Sequence, residues 1–168
     1  MTQFFEYSLF LCCILLSSSI YALSEDSQEK VNVIADSSIY NYKTGINIFE
    51  GNVKVDQGTT HITADKLITK TNKEHKLQEA IAYGFNTPAH YWTTPRAGDP
   101  IVNASAMIIK YYPIDANIVL EQNVVVAQAE NNFQGQLILY NMNTQTITVP
   151  ASNVGRAVVV YNPDENKS

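Results

Sequence analysis

The sequence predicts an all-β domain. Three observations lead there: a dominant period of two, turn residues at short intervals, and a strand–turn–strand unit that recurs along the chain. Asn52-Val53-Lys54-Val55-Asp56 alternates strictly, so Val53 and Val55 share one strand face while Lys54 and Asp56 share the other. Val31-Asn32-Val33 and Thr60-His61-Ile62-Thr63 alternate in the same way. Residues 117–129, 136–140, 146–149 and 157–161 add further segments rich in Val, Ile, Leu and Thr. Between these segments stand Lys43-Thr44-Gly45, Gln57-Gly58, Asn86-Thr87-Pro88, Gly98-Asp99-Pro100, Asn131-Asn132 and residues 141–144. Short strands at such spacing build a sandwich, roll or barrel.

One segment runs against the pattern. Residues 73–82 (KEHKLQEAIA) are largely helix formers, with Leu77, Ala80, Ile81 and Gly84 spaced three and four apart. Read alone they make a short helix. Their neighbours call for a paired strand, and tertiary context overrides propensity, so a strand is expected there.

The recurrence is visible by offset. Ile48-Phe49-Glu50-Gly51-Asn52-Val53-Lys54-Val55 aligns with Val119-Leu120-Glu121-Gln122-Asn123-Val124-Val125-Val126, 71 residues later. At the same offset, Ala64-Asp65-Lys66-Leu67-Ile68 falls on Gly135-Gln136-Leu137-Ile138-Leu139. Ala35-Asp36 is echoed by Ala64-Asp65 at an offset of 29. Stacked units of this kind expose a sheet edge at each end, and such edges invite strands from another molecule.

The domain is expected over 31–161, preceded by a signal peptide over 1–22 and an N-terminal segment over 23–30, and followed by a tail over 162–168. Leu9 to Ala22 (LFLCCILLSSSIYA) is apolar but broken by three serines, and is shorter than the ~20 residues that span a bilayer. Cleavage after Ala22 is expected; an uncleaved anchor is the rival reading. Both cysteines, Cys12 and Cys13, lie in this run, so the domain has no thiol for disulfides, nucleophilic catalysis or metal. Removing Glu6 with the leader takes the formal charge from −5 to −4, an acidity that argues against a nucleic-acid partner. Lys66, Lys70, Lys73 and Lys76 read as a solvated turn rather than a phosphate-tracking patch.

Catalytic chemistry is sparse. His61, His75 and His90 have no metal-ligand spacing, and no HExxH, GxSxG, GxGxxG or GxxxxGK[ST] pattern occurs. Ser105, in Asn-Ala-Ser-Ala, has no His or Asp beside it in sequence. The ten Tyr, six Phe and one Trp point elsewhere: Tyr83, Phe85, Tyr91, Trp92, Tyr111, Tyr112 and Phe133 fall along expected strands. They fill a core or line a trough whose apolar face accepts long acyl chains, at about 0.8 kcal/mol per buried CH₂.

Several motifs resemble those of the OstA-like (LptA) family. Ile34-Ala35-Asp36, Phe49-Glu50-Gly51-Asn52-Val53-Lys54-Val55-Asp56-Gln57-Gly58 and Ile62-Thr63-Ala64-Asp65-Lys66 follow its pattern. Tyr83-Gly84, Pro88-Ala89-His90-Tyr91, Gly98-Asp99-Pro100-Ile101, Asn103-Ala104-Ser105 and Gly155-Arg156-Ala157-Val158 continue it in order. The resemblance implies a twisted, V-shaped antiparallel β-jelly roll, open at both ends, that carries lipopolysaccharide across the periplasm without catalysis or cofactor. It implies an apolar groove for the acyl chains of lipid A, starting at Val31 and Val33 and continued by Phe49, Val53 and Val55. Alternation and the repeat add Ile62, Leu67, Tyr83, Phe85, Met107, Leu120, Val124, Val126 and Phe133; on their chemistry alone all of these also serve as ordinary core.

Head-to-tail assembly is implied through an edge at Val31, Asn32, Val33 and Ile34 and another at Ala157, Val158, Val159 and Val160. The implied bridge runs between LptC at the inner membrane and LptD at the outer membrane. Two readings stand beside this one: a membrane-anchored LptC-like component of the same fold, and a structural β-repeat with a dry, closed interior. The sequence departs from the family pattern at Gln122, where Gly is expected, and at Tyr112-Pro113-Ile114, which reads as an extra turn. Both leave the register of the second repeat open, since a slip of one residue exchanges the two faces.

Overall fold

Alternating β-branched and polar residues can bury one face only by pairing edge to edge, and the computed structural model pairs them throughout. It describes residues 29–153 and 155–161. The expected signal peptide with its cleavage point after Ala22, residues 23–28 and the tail from 162 lie outside the described residues. All twelve strands among the described residues join one antiparallel sheet.

The rows of that sheet alternate between long and broken. β3 (Ile46–Gln57), β4 (Thr60–Thr71), β9 (Asn117–Gln128) and β10 (Asn131–Asn141) run its full width. The other rows are each split in two: β1 (Asn32–Ile34) with β2 (Ser37–Asn41), β5 (Leu77–Tyr83) with β6 (Ala89–Thr93), and β7 (Val102–Ala106) with β8 (Ile108–Tyr112). β11 (Thr146–Thr148) and β12 (Val158–Val160) complete the last row. Both pieces of a split row pair with the same long strand: β1 and β2 with β3, β5 and β6 with β4, β7 and β8 with β9, β11 and β12 with β10.

The breaks fall in line, so the sheet creases along a single seam. On one side lie β2, β5, β8 and β11 with the adjoining halves of the long strands; on the other lie β1, β6, β7 and β12 with theirs. Where β3 crosses the seam, Gly51 and Asn52 stand opposite Asp65 alone, and both take positive φ (78° and 47°). Where β9 crosses it, Gln122 and Asn123 stand opposite Gln136 alone, again with positive φ (66° and 55°). These are the same bulge, 71 residues apart. The 71-residue offset is therefore structural, and it extends to the split rows: the Asp36 N–H donates to the Gly51 carbonyl at 2.9 Å, as the Met107 N–H donates to that of Gln122 at 3.0 Å.

Register in the second repeat is thus the register of the first. The Tyr112-Pro113-Ile114 segment enters the β8–β9 turn, where the Ala116 N–H donates to the Pro113 carbonyl at 3.3 Å. Residues 77–83 form strand β5, as their neighbours require, and Asn72 closes the turn before it by accepting from the Glu74 and Lys76 N–H groups at 2.9 Å. One expectation is corrected. Lys73 and Lys76 sit on or beside that turn, but Lys66 and Lys70 lie on β4, and Lys66 pairs with Glu50 at 2.7 Å.

Gly51 is a position at which the crease leaves little room. Its φ of 78° is costly for an L side chain, and an added Cβ would run into the Asp36 carboxylate. Gln122 holds the matching conformation with its side chain exposed to solvent. Gly51→Ala is expected to lose about 1–3 kcal/mol, whereas Gln122→Gly should be neutral or gain up to about 1 kcal/mol. Urea unfolding of both variants tests the pair; equal effects would mean that the two bulges are not equivalent.

Candidate functional site

The crease turns one face of each half-sheet toward the other, and register identifies the residues that meet there. On one side the row nearest the seam is Phe49, Leu67, Ala82, Ile109, Leu120 and Ile138. On the other it is Ala35, Val53, Ala64, Ala89, Ala106, Val124 and Gly135, almost all small. Large side chains against small ones let the layers close at the seam. Val53 and Ile138 are each 1% exposed, and together these rows form one core cluster. One step farther out, Val33, Val55, Ile62, Tyr91, Ala104, Val126 and Phe133 continue the apolar wall.

No ionisable side chain other than tyrosine occupies this inner face within the described strands. Alternation sends Glu50, Lys54, Asp56, His61, Lys66, Lys70, Glu79, His90, Lys110 and Glu121 outward. Six of these ten outward side chains pair with one another. Lys110 lies 2.7 Å from Glu121, Lys66 is held by Glu50, and His61 Nδ1 sits 2.6 Å from Asp56 and stacks on Trp92. The Glu121 hydrogen bond raises the Lys110 pKa despite some desolvation. Two aspartates stand at the seam: Asp36 accepts from Asn52 Nδ2 at 2.8 Å and Asp65 from the Phe85 N–H at 2.6 Å. Sorting of this kind is what an apolar interior demands, because a buried unpaired charge costs several kcal/mol.

The residues expected to line a groove divide clearly. Val33, Phe49, Val53, Val55, Ile62, Leu67, Leu120, Val124, Val126 and Phe133 all belong to the inner cluster or pack on it. Val31 precedes β1 and is 50% exposed. Tyr83 is on the outer face, because Ala82 beside it points inward. Phe85 follows β5 and is 61% exposed. Met107 occupies the break between β7 and β8, where its carbonyl accepts from the Gly84 N–H at 2.9 Å.

Inner residues outside the expected set are mostly alanines (Ala35, Ala64, Ala80, Ala82, Ala89, Ala104 and Ala106), together with Tyr91, Val102, Ile109, Ile118, Ile138 and Val149. Ile138 was legible as the partner of Leu67 at the 71-residue offset. The alanines give no such signal, since small residues carry little hydrophobic contrast. Of the edge residues, Asn32, Val33 and Ile34 pair among the described residues only with β3, and Val158, Val159 and Val160 only with β10.

Catalytic groupings remain weak. His90 stands directly across from Ser105 on β7, a proximity hidden in the sequence, yet no hydrogen bond joins their side chains among the described contacts. Among the described residues no cluster of His, Cys, Asp and Glu could hold a metal ion, and no helix is long and apolar enough to cross a membrane.

With this geometry in place, similarity to known proteins is informative. The sequence model of the family described as "LptA/(LptD N-terminal domain) LPS transport protein" matches residues 32–146. The chain belongs to this family. Among curated relatives, the lipopolysaccharide export system protein LptH of Pseudomonas aeruginosa is 30% identical over 147 residues, covering 88% of this chain and 80% of LptH. LptA of Escherichia coli K12 is 26% identical over 166 residues, covering 98% and 89%. The crystal structure of LptH, described as the LptA-homologous periplasmic component of a lipopolysaccharide transport device, superposes with a TM-score of 0.73 at 26% identity, covering 82% of this chain and 99% of that one. The β-jelly roll of the LptA family is thus the fold of this chain.

The inner face of this family member also carries Tyr111, whose pKa burial raises above the ordinary 10.0. In the unfolded chain Tyr111 loses its proton first, so the fold loses stability as pH climbs past about 10. Lys110 acts with the same sign, because its raised pKa makes the Glu121 contact a contribution present below about 10.5 and lost above it. Unfolding free energy measured from about pH 9 to 11 should therefore fall, and Tyr111→Phe should flatten part of the fall. A slope unchanged in that variant would place Tyr111 in solvent.

Proposed function

We propose that this chain is a periplasmic lipopolysaccharide carrier that holds the acyl chains of lipid A in its creased interior and passes them on without catalysis. The observation that carries this reading is the continuity of the inner wall: uncharged in every row and apolar along the seam, from β1 through both repeats to β10. A globular core closes around itself, whereas this wall reaches a sheet edge at either end. At about 0.8 kcal/mol per methylene, a chain of about a dozen carbons gains several kcal/mol by leaving water for such a wall. That is enough for retention and modest enough for release.

The relatives named lipopolysaccharide export proteins support the same ligand. For assembly, Val31 to Ile34 and Ala157 to Val160 offer exposed edges that suit head-to-tail pairing with another copy, with LptC on one side and LptD on the other. Directional movement needs energy from elsewhere, since binding alone shifts only equilibria.

Photocrosslinking from Val33 and Phe49, with outward Lys54 as control, tests the reading in cells that make lipopolysaccharide. Lipopolysaccharide adducts are expected at the first two positions and not at Lys54. Folded protein without adducts at any of the three would sink the carrier role and favour a purely structural β-repeat.

A further inference from the structure

Moving outward from the seam, the inner wall changes character before it reaches solvent. On one side the row beyond Phe49 and Leu67 reads Tyr40, Asn47, Thr69, Ala80, Tyr111 and Ile118, and Tyr140 follows. On the facing side, the row beyond Val55 and Ile62 carries Gln57, Thr60, Thr93, Val102 and Gln128. Thr60 and Thr93 place their hydroxyls 2.9 Å apart on that lip. Both lips are thus rich in hydroxyls and amides, and no strand residue on either carries a formal charge. Tyr111 is half-buried there, a neutral phenol able to donate, and its burial raises its pKa above the ordinary 10.0.

From this band we propose that the two lips form a neutral hydrogen-bonding collar that takes the ester, amide and hydroxyl groups joining acyl chains to a polar head, and leaves the head's phosphates to solvent. The inference deepens the carrier reading and rests on it. A carbonyl drawn to the edge of an apolar trough loses water and needs a donor; Tyr hydroxyls and Asn or Gln amides supply one. Phosphate calls instead for charge-assisted, forked donors, above all Arg. The cations nearest the lips do not offer them. Lys110, beside Tyr111, points outward into a pair with Glu121, and Lys70, beside Thr69, projects from the outer face of β4. On the turns beyond the lips, Lys43, Lys73, Lys76 and Arg96 are interleaved with Glu74 and Asp99, and Lys76 lies 3.5 Å from Glu74. A collar of neutral bonds, each modest in net strength, also suits a ligand that must leave again.

The test compares three probes on the purified protein and on a Tyr111→Phe/Tyr140→Phe variant with matching circular dichroism. The probes are bis-phosphorylated lipid A, its dephosphorylated form, and a dodecyl-chain photoprobe without carbonyls. Dephosphorylation, or raising salt from about 0.05 to 0.5 M, should change lipid A affinity by less than about twofold. The double variant should bind lipid A about tenfold more weakly and the dodecyl probe as before. A tenfold loss on dephosphorylation, an unaltered double variant, or equal weakening for both lipid A and the dodecyl probe would overturn the collar. If the unmodified protein bound none of the three, the carrier reading itself would fall, and the collar with it.

Discussion

A sheet can fold across its own strands only if every row yields at the same place, and the rest of this structure depends on how that is achieved. Long rows yield by a bulge in which two residues of positive φ stand against one; short rows yield by breaking outright. A continuous ladder would resist the bend, because each pair of hydrogen bonds fixes the twist of its neighbours. The Asp36 and Met107 N–H groups, freed by the breaks, are satisfied by the carbonyls of Gly51 and Gln122 at the bulges. Broken and bulged rows thus complete each other, and the seam leaves these backbone groups paired.

From the seam follows the sorting of side chains. Because the bulge gives β3 one residue more than β4 at the crease, the inward positions flanking it are four apart on β3 (Phe49 and Val53) but three apart on β4 (Ala64 and Leu67), where alternation breaks. Simple alternation carried through Gly51 and Asn52 happens to keep the parity of β3. In β5 and β6 the chain leaves the sheet between Tyr83 and Ala89, and alternation gives no guidance across the gap. That is why the strands were legible while Tyr83 and Phe85 were expected on the wrong side of the wall: an aromatic beside a turn satisfies the same composition whether it faces in or out.

The repeat was legible for a related reason and incomplete for another. Val53 and Val124, Val55 and Val126, and Leu67 and Ile138 preserve apolar bulk across 71 residues, so the eye finds them. The positions that define the bend are less well kept. Gly51 becomes Gln122, and the turn glycine Gly58 becomes Ala129, both retaining positive φ. A left-handed conformation costs an L residue only about 1–2 kcal/mol, and the surrounding ladder can impose it. Sequence therefore records where glycine is convenient, and the fold records where the conformation is required.

The same near-equivalence bears on the proposed transport role. A ligand held by one specific charged contact would sit in a single deep well, and its escape would be slow in proportion to the strength of that contact. Here the paired positions of the two repeats are close exchanges: Phe49 for Leu120, Ile62 for Phe133, and Val53 for Val124. A chain sliding from one repeat to the next trades one apolar surface for another of similar area, and transfer energy scales with area rather than with identity. The wall is then nearly level along its length, and the affinity that retains an acyl chain does not oppose its movement. Repetition, needed to crease the sheet, would also make the path uniform.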